Sequence, residues 1–348
     1  MKLFGIAAVV LGVAALSSGA LGQKPHIAIV ATGGTIAGAQ AAPGQGGYTS
    51  GVFDVRRLVD AAPQMKDLAD ITGEQFVNIG SQDMNNDIWL RLAKHVGELV
   101  RRPDIDAVVI THGTDTMEET SYFLSLVVNT QKPIVMVGSM RPATSLSADG
   151  PMNLYEAVAV ATDPRARGRG VMVVLNDQVF YARDIEKQNT TALDTFKSPN
   201  RGPAGRAQGS EMTLFARPST ALGEFPVDQL SALPKVEIVY AYANMGRDFI
   251  DLAVKNGAKG IVVAGVGDGN TTQVAMAGLA DAVKAEVAVV RSSRVGSGAV
   301  YRDVEVDDDK LRFIASGDLN PQKARVLLML GLTKTQDPQV LQGYFARY

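Results

Sequence analysis

The sequence contains no cysteine and only three histidines in 348 residues. The missing cysteine excludes disulfides, thiol nucleophiles and thiolate metal sites, so a large apolar core must stabilise the folded chain. Hydrophobic residues make up 46% of the sequence and can supply that core. Because histidine is confined to His26, His95 and His112, a histidine-rich metal site is not expected. We therefore predict no metal and no cofactor.

Neither positive nor negative charge is in large excess. Lysine and arginine number 34 against 36 aspartates and glutamates, so no basic field is available to bind nucleic acid or anionic lipid. We expect no nucleic-acid partner. The length exceeds that of one typical domain, which predicts two domains.

One long apolar run is present, at the N-terminus. Met1-Lys2 carries a positive charge, residues 3–16 are almost wholly apolar, and small residues follow as far as Gly22. This order is typical of a secretory signal peptide. A membrane anchor is the alternative, but about 14 apolar residues are short for a span of roughly 20. We predict cleavage after Gly22, a mature chain from Gln23 to Tyr348, and no membrane association after cleavage.

Short runs of valine and isoleucine recur along the chain and end in small or hydroxyl residues. They are residues 27–30, 107–110, 133–137, 171–175, 236–240, 260–263 and 287–290. Such runs are typical of strands buried on both faces. Helical patterns lie between them, one starting at Asn86-Asp87, one opened by Glu118 and Glu119, and one beginning near Pro151. This alternation predicts an α/β fold with mostly parallel sheets.

The segment 196–234 has a different composition, rich in glycine, proline and serine. We interpret it as a hairpin followed by a linker. The predicted organisation is a larger N-terminal catalytic α/β domain over residues 23–212, a linker over 213–234, and a smaller C-terminal α/β domain over 235–348.

Thr32-Gly-Gly-Thr35 directly follows the first predicted strand. Two glycines allow a tight turn and close backbone approach to a ligand, with the Thr35 hydroxyl exposed and amide N–H groups nearby to stabilise an oxyanion. A phosphate-binding turn or a plain tight turn is the alternative. The segment lacks the lysine and spacing of a P-loop.

A second polar motif, Thr111-His-Gly-Thr-Asp-Thr116, follows another strand. Asp115 and Glu118 have the spacing of a helix capping box, so a structural role is one interpretation. A threonine nucleophile needs a base, and Asp115 beside Thr114 could orient one. His112 is the usual type of residue for that base, but a buried structural histidine is equally consistent with the pattern.

Three more residues are ambiguous from the sequence alone. Lys187 is either a solvated surface charge or a lysine that loses its proton beside a hydroxyl and acts as a base. Ser81 and Gln82 follow a predicted strand over residues 75–79. They could bind a carboxylate and an ammonium group, or could cap the following helix.

Taken together, these motifs resemble the bacterial L-asparaginase/glutaminase family, specifically its periplasmic type II branch. The matching segments are ATGGTIAG (31–38), SQDM (81–84), ITHGTDTMEET (110–120), MRP (140–142), SADG (147–150), GVGDGN (265–270), RSSR (291–294), EVDD (305–308) and NPQKAR (320–325). They cover essentially the whole predicted mature chain.

The resemblance implies a homotetramer, a dimer of tight dimers, with each site shared between two chains. It implies Thr35 as the nucleophile on a mobile lid loop and Tyr48 as the tyrosine that helps to activate it. A second catalytic cluster would consist of Thr114, Asp115 and Lys187, with His112 left a structural role. The implied substrate-binding residues are Ser81, Gln82, Asp115 and, from the neighbouring chain, Asn270 and Glu305.

The implied reaction is hydrolysis of L-asparagine to L-aspartate and ammonia through an acyl-enzyme, in the periplasm, with lower activity on L-glutamine. The lid would span residues 37–50. Asp268 stands where the asparagine-selective members tend to have asparagine, whereas Asn270 is retained. Two alternatives are a glutaminase-asparaginase with little discrimination and a periplasmic amino-acid-binding protein, which would need no pair of hydroxyl nucleophiles.

Overall fold

The structure is a computed structural model that describes residues 24–42, 47–215 and 223–348. The predicted signal peptide lies outside the described residues, as do residues 43–46 of the expected lid and residues 216–222 of the expected linker.

An eight-stranded sheet forms the larger, N-terminal part of the molecule. From one edge to the other its strands are β12 (Glu211–Leu214), β11 (Gly205–Gln208), β8 (Gln178–Tyr181), β7 (Val171–Leu175), β6 (Ile134–Val137), β5 (Ala107–Thr111), β1 (His26–Gly33) and β4 (Asp70–Ile79). The five strands from β7 to β4 are parallel, while β8, β11 and β12 add antiparallel pairs at one edge.

Two short antiparallel pairs lie outside this sheet, and both bear on the site. They are β2 (Ala39–Gln40) with β3 (Tyr48–Thr49), and β9 (Glu186–Lys187) with β10 (Phe196–Lys197). The hairpin expected within residues 196–234 is present as β11 and β12, which extend the large sheet.

Helices cover both faces of the large sheet. They are α1 (Val55–Asp60), α2 (Met65–Leu68), α3 (Asn86–Arg101), α4 (Met117–Val127) and α5 (Gly150–Thr162). The cap of α3 is Asn85, whose side chain accepts a hydrogen bond from the Ile88 N–H, and thus satisfies one of the free donors at the helix start. The predicted start at Asn86-Asp87 is confirmed, since α3 begins at Asn86.

The C-terminal part has its own sheet of four parallel strands, β13 (Val236–Tyr240), β14 (Gly260–Gly265), β15 (Ala288–Ser293) and β16 (Ile314–Ala315). Its helices are α6 (Asp248–Lys255), α7 (Gln273–Lys284), α8 (Asp308–Leu311), α9 (Pro321–Gly331) and α10 (Pro338–Arg347). Asn320 caps α9 with proline at the first position, a combination that favours helix initiation. The two-part α/β fold, with a large mixed sheet and a smaller parallel one, confirms the predicted fold class.

One apolar cluster joins the two parts. It includes residues of α3, α4 and β5 from the N-terminal part and of β14, β15 and α9 from the C-terminal part. Helix α4 packs on α9, so burial across this contact fixes the two sheets relative to each other. Separate clusters cover the outer face of each sheet. The proposed limits of the two domains and the linker stay a prediction.

Within the described ranges, no group of three or more acidic or histidine side chains is arranged to hold a metal ion. None of the helices in those ranges is long and apolar enough to cross a membrane.

Candidate active site

The two threonine motifs meet at the carboxyl ends of β1 and β5, which are parallel neighbours in the sheet. Ala31 is in register with Thr111, and the buried Thr32 hydroxyl donates to the Thr111 carbonyl at 2.8 Å. The loops that follow therefore leave the same edge of the sheet side by side. This edge is where open α/β sheets bind ligands.

A backbone contact between glycines holds these loops together. Gly33 and Gly34 have φ of 101° and 81°, a conformation that favours glycine. A Cβ on Gly34 would lie within 3.0 Å of Gly113, and a Cβ on Gly113 would lie 2.5 Å from Ser81 Oγ. Since Gly34 precedes Thr35 and Gly113 precedes Thr114, the absence of side chains here brings the two threonine segments together.

Thr35 is buried at the start of a 3-10 turn, Thr35–Ala37. Its Oγ1 lies 2.8 Å from the Tyr48 hydroxyl, and either oxygen could be the donor. Tyr48 reaches this position because β3 pairs with β2, which places Tyr48 opposite Gln40. The phenol is half exposed, so the Thr35–Tyr48 pair opens toward solvent.

Thr114, Asp115 and Lys187 form a second hydrogen-bonded cluster. The Lys187 Nζ lies 2.9 Å from Thr114 Oγ1 and 2.6 Å from Asp115 Oδ1. Thr114 is buried and the Asp115 side chain is exposed. A lysine so placed can take the threonine proton when it is neutral, and the carboxylate beside it holds the amine in place.

Ser81 is hydrogen-bonded to the second threonine motif. It is buried, its Oγ accepts from the Asp115 N–H at 3.1 Å, and its carbonyl accepts from the Thr116 hydroxyl at 2.8 Å. Gln82 follows in the same 3-10 turn and is exposed, with its side-chain amide folded over Gly80. Ser81 thus lies in the cluster, while Gln82 lies at its surface.

Among the described residues, His112 makes no hydrogen bond to the hydroxyl of Thr35 or of Thr114. Its ring is fully buried, and Nδ1 lies 2.7 Å from the Gly113 carbonyl, so Nδ1 carries the proton that it donates. Burial lowers the pKa of His112 to about 4, although the Gly113 carbonyl opposes the shift. The imidazole is therefore neutral near pH 7 and supports the Gly113 turn, in line with a structural role.

Glu118 is a contributor that the sequence patterns did not reveal. The Thr116 side chain makes no capping bond at the start of α4, and Glu118 Oε2 instead accepts from the Lys187 backbone N–H at 3.1 Å. Burial raises the pKa of Glu118 to about 7, and the nearby Lys323 ammonium opposes that rise. The capping-box spacing was therefore misleading for this carboxylate, and no local signal pointed to its distant partner.

Asn270 and Glu305 lie in the C-terminal part and hydrogen-bond to each other. In the described part of the chain, neither bonds to Thr35, Thr114 or Ser81. Of the predicted site residues, the structure thus brings Thr35 together with Tyr48, and Ser81 with Thr114, Asp115 and Lys187, but leaves Asn270 and Glu305 as a separate pair.

The loops that carry Asn270 and Glu305 are organised by Arg291. This buried guanidinium pairs with Asp308 through two bonds of 2.7 Å, and it donates to the carbonyls of Asp268 and Tyr301. The Asp268 carboxylate accepts from the Tyr301 N–H at 2.8 Å. Asp268 therefore links the two loops internally.

Comparisons with known proteins identify the family of the chain. Residues 26–220 match the family described as Asparaginase, N-terminal, and residues 235–345 match the Glutaminase/Asparaginase C-terminal domain. The chain is 52% identical to L-asparaginase 2 of Escherichia coli (strain K12), over 100% of this chain and 99% of the relative. It is 49% identical to the probable periplasmic L-asparaginase of Haemophilus influenzae, over 99% of each chain.

Some relatives of lower identity are named for two activities. The glutaminase-asparaginase of Pseudomonas aeruginosa is 45% identical, over 93% of this chain and 90% of the relative. A crystal structure of a probable cytoplasmic L-asparaginase from Campylobacter jejuni superposes with a TM-score of 0.91 at 47% identity, over 93% of this chain and 100% of the other. With both domain types matched in order and identities near one half across its length, the chain belongs to the asparaginase family.

Proposed function

We propose that the protein hydrolyses L-asparagine to L-aspartate and ammonia, with lower activity on L-glutamine. The observation that carries the proposal is the pair of threonine hydroxyls on adjoining loops, each with its own partner. Thr35 Oγ1 lies 2.8 Å from the Tyr48 hydroxyl and Thr114 Oγ1 lies 2.9 Å from Lys187 Nζ. Two hydroxyls with two partners suit a reaction with two half-steps, acylation and hydrolysis of the ester.

The proposed first step is attack of Thr35 Oγ1 on the side-chain amide carbon. The threonine proton passes through the Tyr48 hydroxyl to the amide nitrogen, the C–N bond breaks, and ammonia departs, so that an aspartyl ester remains on Thr35. The Gly34 N–H is not available to stabilise the oxyanion, because it donates to the Ile79 carbonyl at 2.9 Å. In the second step, Thr114 and Lys187 direct a water molecule onto the ester carbon. The ester bond breaks, the water oxygen becomes part of the aspartate carboxyl group, and one water proton goes to Thr35 Oγ1.

The substrate is a small zwitterion and requires opposed polar groups. The exposed Asp115 carboxylate is placed to attract its α-ammonium group. Ser81 Oγ accepts from the Asp115 N–H, which leaves the serine proton for the α-carboxylate, beside Gln82. One extra methylene alters binding by only about 1–3 kcal/mol, so discrimination against glutamine depends on the fit of these groups.

Steady-state kinetics with both amides test the proposal. We expect kcat/KM for L-asparagine to exceed that for L-glutamine by about 10-fold or more. Ammonia release measured with each substrate gives the ratio. Equal values would favour a glutaminase-asparaginase with little discrimination, and binding of asparagine without turnover would favour an amino-acid-binding protein.

We also propose that each active site is completed by Asn270 and Glu305 of a second copy of the chain, in a homotetramer built from tight dimers. The separation of this pair from the threonine cluster within one chain supports the proposal. Apolar side chains exposed on β13 and α6 also support association, because large exposed apolar groups on one face are typical of interaction surfaces. They include Tyr240, Phe249 and Leu252.

Mixing two inactive variants provides a direct test of shared sites. Thr35→Ala and Glu305→Ala homo-oligomers are each expected to be nearly inactive. When the two are unfolded together and refolded, about a quarter of the sites receive both intact residues if chains assort at random in a symmetric oligomer. Recovery toward that fraction of wild-type ammonia release is expected, with separately refolded variants as controls. A mixture no more active than its components would assign both residues to one chain.

Export to the periplasm is proposed on the basis of residues 1–22, with their basic start, apolar centre and small residues before Gln23. The name of the Haemophilus influenzae relative supports it, while the Campylobacter jejuni structure is described as cytoplasmic. N-terminal sequencing of the protein from a periplasmic fraction should read from Gln23.

A further inference from the structure

Lys187 is held in place by an interaction of its backbone as well as by its amine. It lies on β9, which pairs with β10 over only two residues. The Lys187 N–H donates to Glu118 Oε2 at 3.1 Å, across 69 residues of sequence. Because Glu118 is the second residue of α4, a rigid helix anchored in the core sets the position of this otherwise short strand.

Glu118 belongs to a buried group of charges between the two parts of the molecule. Its side chain is 6% exposed, and Lys323 on α9 is 1% exposed. Helices α4 and α9 pack against each other, and the Lys323 ammonium interacts with the carboxylates of Glu118 and Glu186. Glu186 immediately precedes Lys187, so this charge group lies directly behind the catalytic lysine.

We propose that Glu118 is a positioning residue for the Lys187–Thr114 pair, and that Lys323 of the C-terminal part keeps the Glu118 carboxylate ionised. An ionised carboxylate accepts a stronger hydrogen bond from the Lys187 N–H than a protonated one does. The bond in turn fixes the strand from which Nζ reaches Thr114 Oγ1 at 2.9 Å. The inference rests on the proposed hydrolysis of asparagine, in which Lys187 serves Thr114.

The sign of the pH dependence follows from the charges around this carboxylate. Burial raises the pKa of Glu118 to about 7, Lys323 opposes the rise, and Glu186 and Glu119 add to it. Further charges lie nearby. Arg183 and Asp184 act on Lys323, Asp318 acts on Glu186, and Arg325 acts on Glu119. Loss of the Lys323 charge therefore raises the Glu118 pKa further, and the protonated, weaker acceptor persists to higher pH.

Four variants test the proposal through the pH profile of kcat/KM. Lys323→Met should move the acid limb upward by about one pH unit, and Lys323→Arg, which keeps the charge, should restore it. Glu118→Gln keeps an acceptor oxygen but cannot ionise, so kcat should fall about 10-fold with little change in KM, and the inflection near pH 7 should disappear. In the double variant, Lys323→Met should no longer shift the profile.

The double variant separates this mechanism from a direct effect of Lys323 on Lys187. If the shift persists in the Glu118→Gln background, Lys323 acts on Lys187 without Glu118 and the proposal is wrong. Glu119→Gln is the matched control, because Glu119 is the next residue of α4 and is partly buried, but pairs with Arg325. It should alter stability and leave the acid limb in place or move it slightly to lower pH, because Glu119 is the smallest of the causes that raise the Glu118 pKa. A shift in the control equal to that of Lys323→Met would also contradict the proposal.

A second readout requires no turnover. In protein labelled with ¹⁵N-lysine, the Lys187 amide resonance should titrate near pH 7 in the wild type and lose that titration in Glu118→Gln. An invariant amide shift across this range would overturn the inference. A wild type that titrates in this way yet releases no ammonia from asparagine would contradict the proposed function and leave the positioning contact supported.

Discussion

Replacement of Thr114 by valine is expected to lower kcat/KM for L-asparagine by about 10³-fold or more, with the fold retained. Valine has nearly the shape of threonine but no hydroxyl, so the Lys187 Nζ loses its 2.9 Å partner while the buried packing is kept. Thr35→Ala should cause a loss of the same order, because each hydroxyl is required for turnover. Ammonia release together with thermal unfolding separates loss of chemistry from loss of structure.

Thr111→Val is the matched control for this experiment. Thr111 lies three residues before Thr114, at the end of β5. It is fully buried, and its Oγ1 has no hydrogen-bond partner among the described residues. Removal of a buried hydroxyl without a partner is neutral or stabilising. The control should therefore retain activity and unfold at the same or a higher temperature. A Thr114→Val enzyme with activity close to this control would remove Thr114 from the catalytic machinery.

Gly113→Ala is expected to reduce activity by about 10²-fold and to destabilise the protein by about 1–3 kcal/mol. The added methyl group would overlap Ser81 Oγ at 2.5 Å and approach Gly34. Relief of that overlap requires the loop of Thr114 to move away from the loop of Thr35, or Ser81 to leave the Asp115 N–H. Either movement separates groups that must act on one substrate.

Gly343→Ala is the control for Gly113→Ala, because it replaces a glycine at a position without close contacts. Gly343 lies within α10, and a Cβ there would meet no atom of the described residues within 4 Å outside its own helix backbone. Alanine in a helix interior is favoured by about 1 kcal/mol over glycine, so this variant should be at least as stable as the wild type and fully active. Normal kinetics in Gly113→Ala would show that the close contact between the two loops is not needed for turnover.

The positions of the two threonines could be predicted because strand ends are encoded locally. The apolar runs before Thr35 and Thr111 are long enough to define β1 and β5, and parallel neighbours bring their carboxyl ends to one edge. The side chains at that edge therefore lie close together and do not depend on contacts with distant segments. The relation between Thr35 and Tyr48 was implied by the family resemblance, and the structure shows the hydrogen bond that joins them.

Other parts of the site depend on contacts between distant segments. Nothing near Lys187 in sequence distinguishes it from a surface lysine, and its role depends on Thr114 and Asp115, more than 70 residues away. Glu118 has the right spacing for a cap, but its partners lie on β9 and α9. Periodicity describes which face of a helix is buried, and it carries no information about which buried group lies opposite.

If sites are shared between chains, the Arg291 network has a consequence for oligomers that contain both normal and variant chains. Arg291 supports the loops that bear Asn270 and Glu305, and those residues would serve the neighbouring chain's threonines. In a mixed dimer, a chain with a variant Arg291 would then impair the site at the normal chain's threonines. The site at its own threonines would stay complete, because the normal chain provides Asn270 and Glu305. In a cell that makes both forms, a mixed dimer would keep one of its two sites, so total activity would follow the share of normal chains and the allele would not act dominantly.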